Sequence, residues 1–165
     1  MIVRQPPVPV LPHVPTSTGQ TVIELPHSSD PSLPPLTFSS NFDSGNLASA
    51  RQAPNTATGP GEYLLFTARD AGETIHEAPY STWFHFAVSN ARAGQTVHMC
   101  LSNMNKQSRL YKQDYRPFYK VVPLDADGEE CGDTNNWQRL PTPCTGKEDK
   151  ENNNMQVSSS NLAAA

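Results

Sequence analysis

Five histidines and three cysteines are the side chains of this sequence best suited to hold a metal or activate a nucleophile. Zinc needs three or four such ligands converging on a rigid element. His85, His98 and Cys100 offer one set, provided that their two segments pair as neighbouring strands. Cys100 would then lie across from His85, and His98 opposite Ala87, so the two imidazoles would be diagonal and have to lean together. Packing and hydrogen bonding at a covered face competes with ligation there. His27 and Asp30 have a His-x-x-Asp spacing, but they sit among prolines that hold neither side chain in place. Asp125-Ala126-Asp127-Gly128-Glu129-Glu130 has oxygen donors without the spacing or flanking helices of a calcium loop, and reads as a solvated turn. Neither a Gly-x-Ser-x-Gly elbow, a glycine-rich phosphate loop nor a Cys-x-x-Cys pair occurs. From the residues alone, then, no catalytic or metal-binding set is assigned.

A different chemistry is offered by Asn103-Met104-Asn105-Lys106-Gln107-Ser108-Arg109-Leu110-Tyr111. Lys106 and Arg109, with Arg116 further on, are candidates to receive carboxylates from an acidic partner or another domain. The competing reading is a well-bonded connection whose asparagines satisfy backbone groups.

The elements that must position these residues read as short strands. Phe84, Phe86 and Val88 alternate with polar or small neighbours, as do Val97, Met99 and Leu101. A hairpin turning through 91–94 would set Phe84 against Leu101, Phe86 against Met99 and Val88 against Val97, all on one buried face. The opposite face would carry Trp83, His85, Ala87, Thr96, His98 and Cys100, partly covered. Further strands are expected over 36–42, 62–70, 116–124 and 136–140, with turn residues between them. Residues 1–35 hold nine prolines and read as a disordered tail in which neither helix nor central strand persists. Residues 144–165 read as a low-complexity tail. The fold class is therefore all-β: an antiparallel β-sandwich over 36–143 between two unstructured tails.

Composition narrows the partners. A net charge of -4 provides no broad basic field, so nucleic acid is not expected. No apolar run reaches the length of a membrane span, and no Asn-x-Ser/Thr sequon occurs. Three cysteines are too few for a disulfide scaffold, and the reading is a reducing, cytoplasmic setting without a membrane partner.

Four segments in order resemble the N-terminal domain of the cytosolic carboxypeptidases. They are Phe42-Asp43-Ser44-Gly45-Asn46-Leu47, then Glu62-Tyr63, then Trp83-Phe84-His85-Phe86-Ala87-Val88, then the Asn103–Tyr111 segment. Trp137 and Arg139 resemble the Trp-x-Arg that follows in the family. The resemblance implies a β-sandwich that precedes an α/β catalytic domain in M14-type zinc metallocarboxypeptidases. These remove glutamates from polyglutamylated tubulin and other proteins. It further implies that zinc belongs to the catalytic domain, bound by a His-x-x-Glu and a later His. None of this chain's histidines begins a His-x-x-Glu, so neither catalytic nor metal residues carry over, and no cofactor is expected within the chain. The expected partners are that catalytic domain and a glutamylated protein such as tubulin, with microtubules as the cytoplasmic location. The alternative is a non-catalytic module that binds acidic protein tails. One departure stands out: Asp114-Tyr115-Arg116-Pro117 replaces the Gly-Met usual before the proline, where glycine would permit positive φ.

Overall fold

The computed structural model describes residues 21–26, 32–53, 62–70, 80–92, 95–105, 110–111, 113–123, 127, 131 and 135–145, with 146–149 and 154–160 added as backbone. Among the described residues ten strands are defined in chain order: β1 (Val22–Leu25), β2 (Leu36–Ser39), β3 (Ser49–Gln52), β4 (Tyr63–Phe66) and β5 (Ala87–Ser89), then β6 (His98–Met104), β7 (Phe118–Tyr119), β8 (Gln138–Arg139), β9 (Thr145–Asp149) and β10 (Asn154–Ser160). Three sheets result, in the orders β1-β2-β5, β3-β4-β6-β10-β9 and β7-β8. The all-β expectation holds. Every pairing is antiparallel except β4 with β6, which is parallel with Tyr63 against Met99 and Leu65 against Leu101.

Alternation on the strands builds one core from the two larger sheets. Leu36 and Phe38 point inward from β2, Tyr63 and Leu65 from β4, and all four are at most 1% exposed. Burying each such side chain contributes about 1.5–3 kcal/mol. The Phe38 and Tyr63 rings meet with centroids 5.2 Å apart, so the two sheets touch through this pair. The Tyr63 hydroxyl also donates to the Pro26 carbonyl at 2.9 Å and ties down the end of β1.

The expected hairpin is corrected. β5 pairs with β2, through Phe38 against Val88, whereas β6 pairs with β4 and β10. The chain leaves the five-stranded sheet after β4, crosses to the other sheet at β5 and returns at β6, which is how β4 and β6 become parallel neighbours. All six apolar residues still reach the same core: Val97, Met99 and Leu101 are buried, with Phe84, Phe86 and Val88 packed against them. Burial selects which face turns inward, and that demand is met as well between two sheets as along one ladder. β6 is buried on both sides, since Met99, Cys100 and Leu101 are 8%, 2% and 5% exposed. The expected opposite face is therefore divided, with Cys100 inside and Trp83 45% exposed.

Both expected tails contain strands. β1 lies within the proline-rich segment but occupies a stretch between prolines, Thr16 to Leu25, and takes the edge of its sheet, where missing donors matter least. Residues 1–20 lie outside the described residues. At the other end β9 and β10 form an antiparallel pair, and β10 continues the sheet along β6 through Val157 against Leu101 and Ser159 against Met99. A central strand such as β6, apolar on both faces, requires a hydrogen-bonded neighbour on each side, and 154–160 provide the second. Low complexity did not prevent this, because a ladder is made by the backbone. The strands expected over 116–124 and 136–140 shrink to the two-residue pair β7 and β8.

Candidate interaction surface

The Phe42–Leu47 turn is shaped by contacts that few residue types permit. Ser44 has a φ of 58°, and the Gly45 amide donates to the Phe42 carbonyl at 3.0 Å. A Cβ on Gly45 would lie 2.0 Å from the Ser40 carbonyl oxygen, so only glycine fits. Asn46, 4% exposed, joins three segments: its amide group donates to the Trp83 carbonyl at 3.1 Å, its side-chain oxygen accepts from the Ala68 amide at 3.1 Å, and its backbone amide donates to the His85 carbonyl at 2.7 Å. Leu47 enters the core. The turn thereby holds Phe42 edge-on to the His85 ring at 4.8 Å and Ser44 Oγ 3.3 Å from His85 Nδ1. The Trp137 ring is also near the imidazole, with centroids 6.0 Å apart.

Asparagines perform the same service at the end of β6 and just past it. Asn103 accepts from the Thr67 amide at 2.9 Å and donates to the Thr67 carbonyl at 2.8 Å, closing a two-bond bridge to the end of β4. Asn105 accepts from the Ser81 amide at 2.8 Å, while its own amide donates to the Ser81 carbonyl at 2.9 Å. For these two residues the well-bonded connection is the correct reading. Lys106 and Arg109 lie outside the described residues.

Arg116 is described, and its guanidinium is engaged within the chain. It donates through Nε and Nη2 to both Asp114 carboxylate oxygens, at 3.1 and 2.9 Å, and through Nη1 to the Pro141 carbonyl at 2.8 Å. Asp114 has a φ of 62°, so the conformation that glycine usually supplies is kept by an aspartate. The hydrogen bond from Arg116 holds the Asp114 carboxyl below its ordinary range, and the same pairing raises the guanidinium. Nearby, burial pushes the Tyr111 phenol well above the usual tyrosine value, with smaller contributions from Cys144 and Tyr115.

Arg139 is the cation that the residue reading left without a role. It stands over the Phe118 ring at 4.4 Å and the Tyr115 ring at 5.9 Å, and donates to the Arg116 carbonyl at 3.2 Å. Arg139 and Tyr115 border an open cleft of about 610 Å³ together with Leu110, Gln113, Asp114, Arg116, Leu140 and Pro141. The signal in the sequence was the Phe118-x-Lys120 and Trp137-x-Arg139 alternation, which becomes meaningful once β7 and β8 are seen to pair.

The His85, His98 and Cys100 set loses its basis with the hairpin, because β5 and β6 belong to different sheets. Among the described residues no three His, Cys, Asp or Glu side chains converge as a metal requires. His27 and Asp30, and most of the 125–130 segment, lie outside the described residues. Also among the described residues, no helix is long and apolar enough to cross a membrane.

The glycine-dependent turn, the bridging asparagines and the Trp137/Arg139 ribbon give structural roles to residues in several of the segments that carried the family resemblance. The family model for the cytosolic carboxypeptidase N-terminal domain matches residues 38–163. The chain belongs to the cytosolic carboxypeptidase family. That match includes β9 and β10 within the cytosolic carboxypeptidase domain. Cytosolic carboxypeptidase-like protein 5 of Rattus norvegicus is 35% identical over 107 residues, covering 53% of this chain and 13% of that protein. The Homo sapiens protein of the same name is 31% identical over 126 residues, covering 65% and 14%. Cytosolic carboxypeptidase 2 of Xenopus tropicalis is 32% identical over 82 residues, covering 50% and 8%. The chain thus spans a small fraction of the length of these cytosolic carboxypeptidase relatives.

Proposed function

We propose that this chain is the accessory N-terminal domain of a zinc metallocarboxypeptidase that removes glutamates from polyglutamylated tubulin in the cytoplasm. The observation that carries the reading is the family match over 38–163, a stretch that includes every strand of the five-stranded sheet. In this reading the domain docks on a carboxypeptidase domain and shapes the approach of an acidic substrate. Zinc and the hydrolytic step belong to that second domain. Trp83, Phe118 and Trp137, each 45–50% exposed, supply apolar surface of the kind that interfaces bury.

Lys106, Arg109 and Arg116 enter the proposal differently. Lys106 and Arg109 remain candidate contacts for carboxylates, whereas Arg116 acts by fixing the Asp114 loop. Reconstitution tests the reading. The carboxypeptidase domain of a cytosolic carboxypeptidase-like protein 5, stripped of its own N-terminal domain, is joined to this chain and offered glutamylated tubulin. Release of glutamate restored above the level of the stripped domain is the expected result. No association and no gain in release would overturn the accessory role.

A further inference from the structure

The β7–β8 ribbon has one face on which two aromatic rings and two cations form cross-strand pairs. Phe118 lies opposite Arg139 in the ladder, with the guanidinium 4.4 Å from the ring centroid. One step beyond the Tyr119–Gln138 pair, in the same register, Lys120 Nζ stands 5.5 Å from the Trp137 ring. Residues 118 and 120 share a strand face, as do 137 and 139, so the four groups form a two-by-two patch with aromatic and cation exchanged between strands. Tyr119, packed against the core, holds the ribbon from its other side, and its hydroxyl lies 3.4 Å from Gln138 Oε1.

The patch is exposed. Phe118 and Trp137 are 50% and 45% exposed. Asp114 is held by Arg116, and among the described residues neither Arg139 nor Lys120 forms an ion pair. Stacking and the bond to the Arg116 carbonyl hold the Arg139 guanidinium in place, while leaving donors for an incoming group.

We infer that this ribbon face, Phe118, Lys120, Trp137 and Arg139, is a binding site for glutamate side chains of an acidic peptide. A glutamate matches it in both parts: its two methylenes lie on an aromatic ring and its carboxylate meets the adjacent guanidinium or ammonium. Successive acidic residues in extended conformation fit two cations spaced along a ribbon. A nucleic acid is the weaker match, because a chain of net charge -4 repels a polyanion of uniform high charge density. The inference deepens the acidic-substrate part of the reading above and rests on it for the partner's being a protein. It also moves the recognition from Arg116, which is engaged, to Arg139.

The full 165-residue chain with Trp83→Phe keeps Trp137 as its only tryptophan. Titrating it with a short oligoglutamate peptide at low ionic strength is expected to change Trp137 emission to saturation, while oligoglutamine leaves it unchanged. Arg139→Gln weakens the binding roughly tenfold, the loss of one charge-assisted contact. Arg139→Lys, which keeps the charge and loses the planar fork, falls between. Arg51→Gln, on β3, removes an equal charge beside the Phe66 ring and has little effect. Circular dichroism of each variant verifies the fold. Unchanged emission with oligoglutamate, equal weakening by Arg51→Gln and Arg139→Gln, or tighter binding of a single-stranded oligonucleotide overturns the inference. None of these measurements involves a carboxypeptidase domain, so the reconstitution above can succeed when they fail, and the reverse.

Discussion

Two backbone positions with little freedom show how single residues fix the turn and loop that frame the surface. Gly45 was legible as part of a turn cluster, but the sequence did not reveal that the Ser40 carbonyl sits where its Cβ would be. Backbone cannot retreat as a flexible side chain can, so Gly45→Ala is expected to cost about 3 kcal/mol, at the upper end of ordinary substitutions. Urea denaturation measures it, and a loss below 1 kcal/mol would mean that the turn relaxes freely. Asp114 is the reverse case, a side chain accepted at φ 62° and stabilised there by Arg116. Its folded-state carboxyl is depressed, so whatever the pair contributes is present above the usual aspartate range and is lost as pH falls through the folded value. Carboxyl titration followed by NMR should give a midpoint below the ordinary value of about 3.9, returning towards it in Arg116→Gln. An unchanged midpoint in that variant would remove Arg116 as the cause. The sequence suggested Arg116 for a partner because its nearest acid, two residues away, is invisible as a pair until the loop is folded.

Strand faces were easier to read than strand partners. Phe84, Phe86, Val88, Val97, Met99 and Leu101 turn inward as their alternation requires. Their pairing differs because period-two burial says nothing about whether an apolar neighbour lies across a ladder or across the core. β10 was missed for a related reason: a Ser-rich run has little apolar pattern, yet it completes the hydrogen bonding of β6. Ser158 faces Cys100 on one side and Thr145 on the other, so it lies within a doubly paired strand. Ser158→Pro removes a ladder donor there and is expected to cost about 3 kcal/mol, with faster amide exchange at Cys100 and Leu101. Ser158→Ala, which keeps the backbone donor, provides the comparison. Equal, small losses in both variants would show that 154–160 contribute nothing to the sheet.

Because β2 and β4 meet through Phe38 and Tyr63 in a single cluster, neither of the two larger sheets has a core of its own. The route of the chain strengthens this dependence, since β5 in one sheet lies between β4 and β6 of the other. Losing either sheet uncovers the inner face of the second, so the two are expected to unfold as one cooperative unit. Leu65 is fully buried in the five-stranded sheet, and Leu65→Ala should remove about 3 kcal/mol of transfer and cavity energy. If the sheets are one unit, slow amide exchange in β2 loses the same free energy as exchange in β6, although β2 carries no substitution. Loss of protection in β6 with β2 unchanged would instead divide the molecule into two independently stable layers. The distinction reaches the surface residues as well. Phe42 and His85 are positioned by the turn after β2 and the segment before β5, whereas Trp137 and Arg139 come from the β7–β8 ribbon. Their mutual arrangement persists only as long as the common core does, so the same Leu65→Ala chain should lose oligoglutamate binding at the denaturant concentration where β2 and β6 both open, and not before.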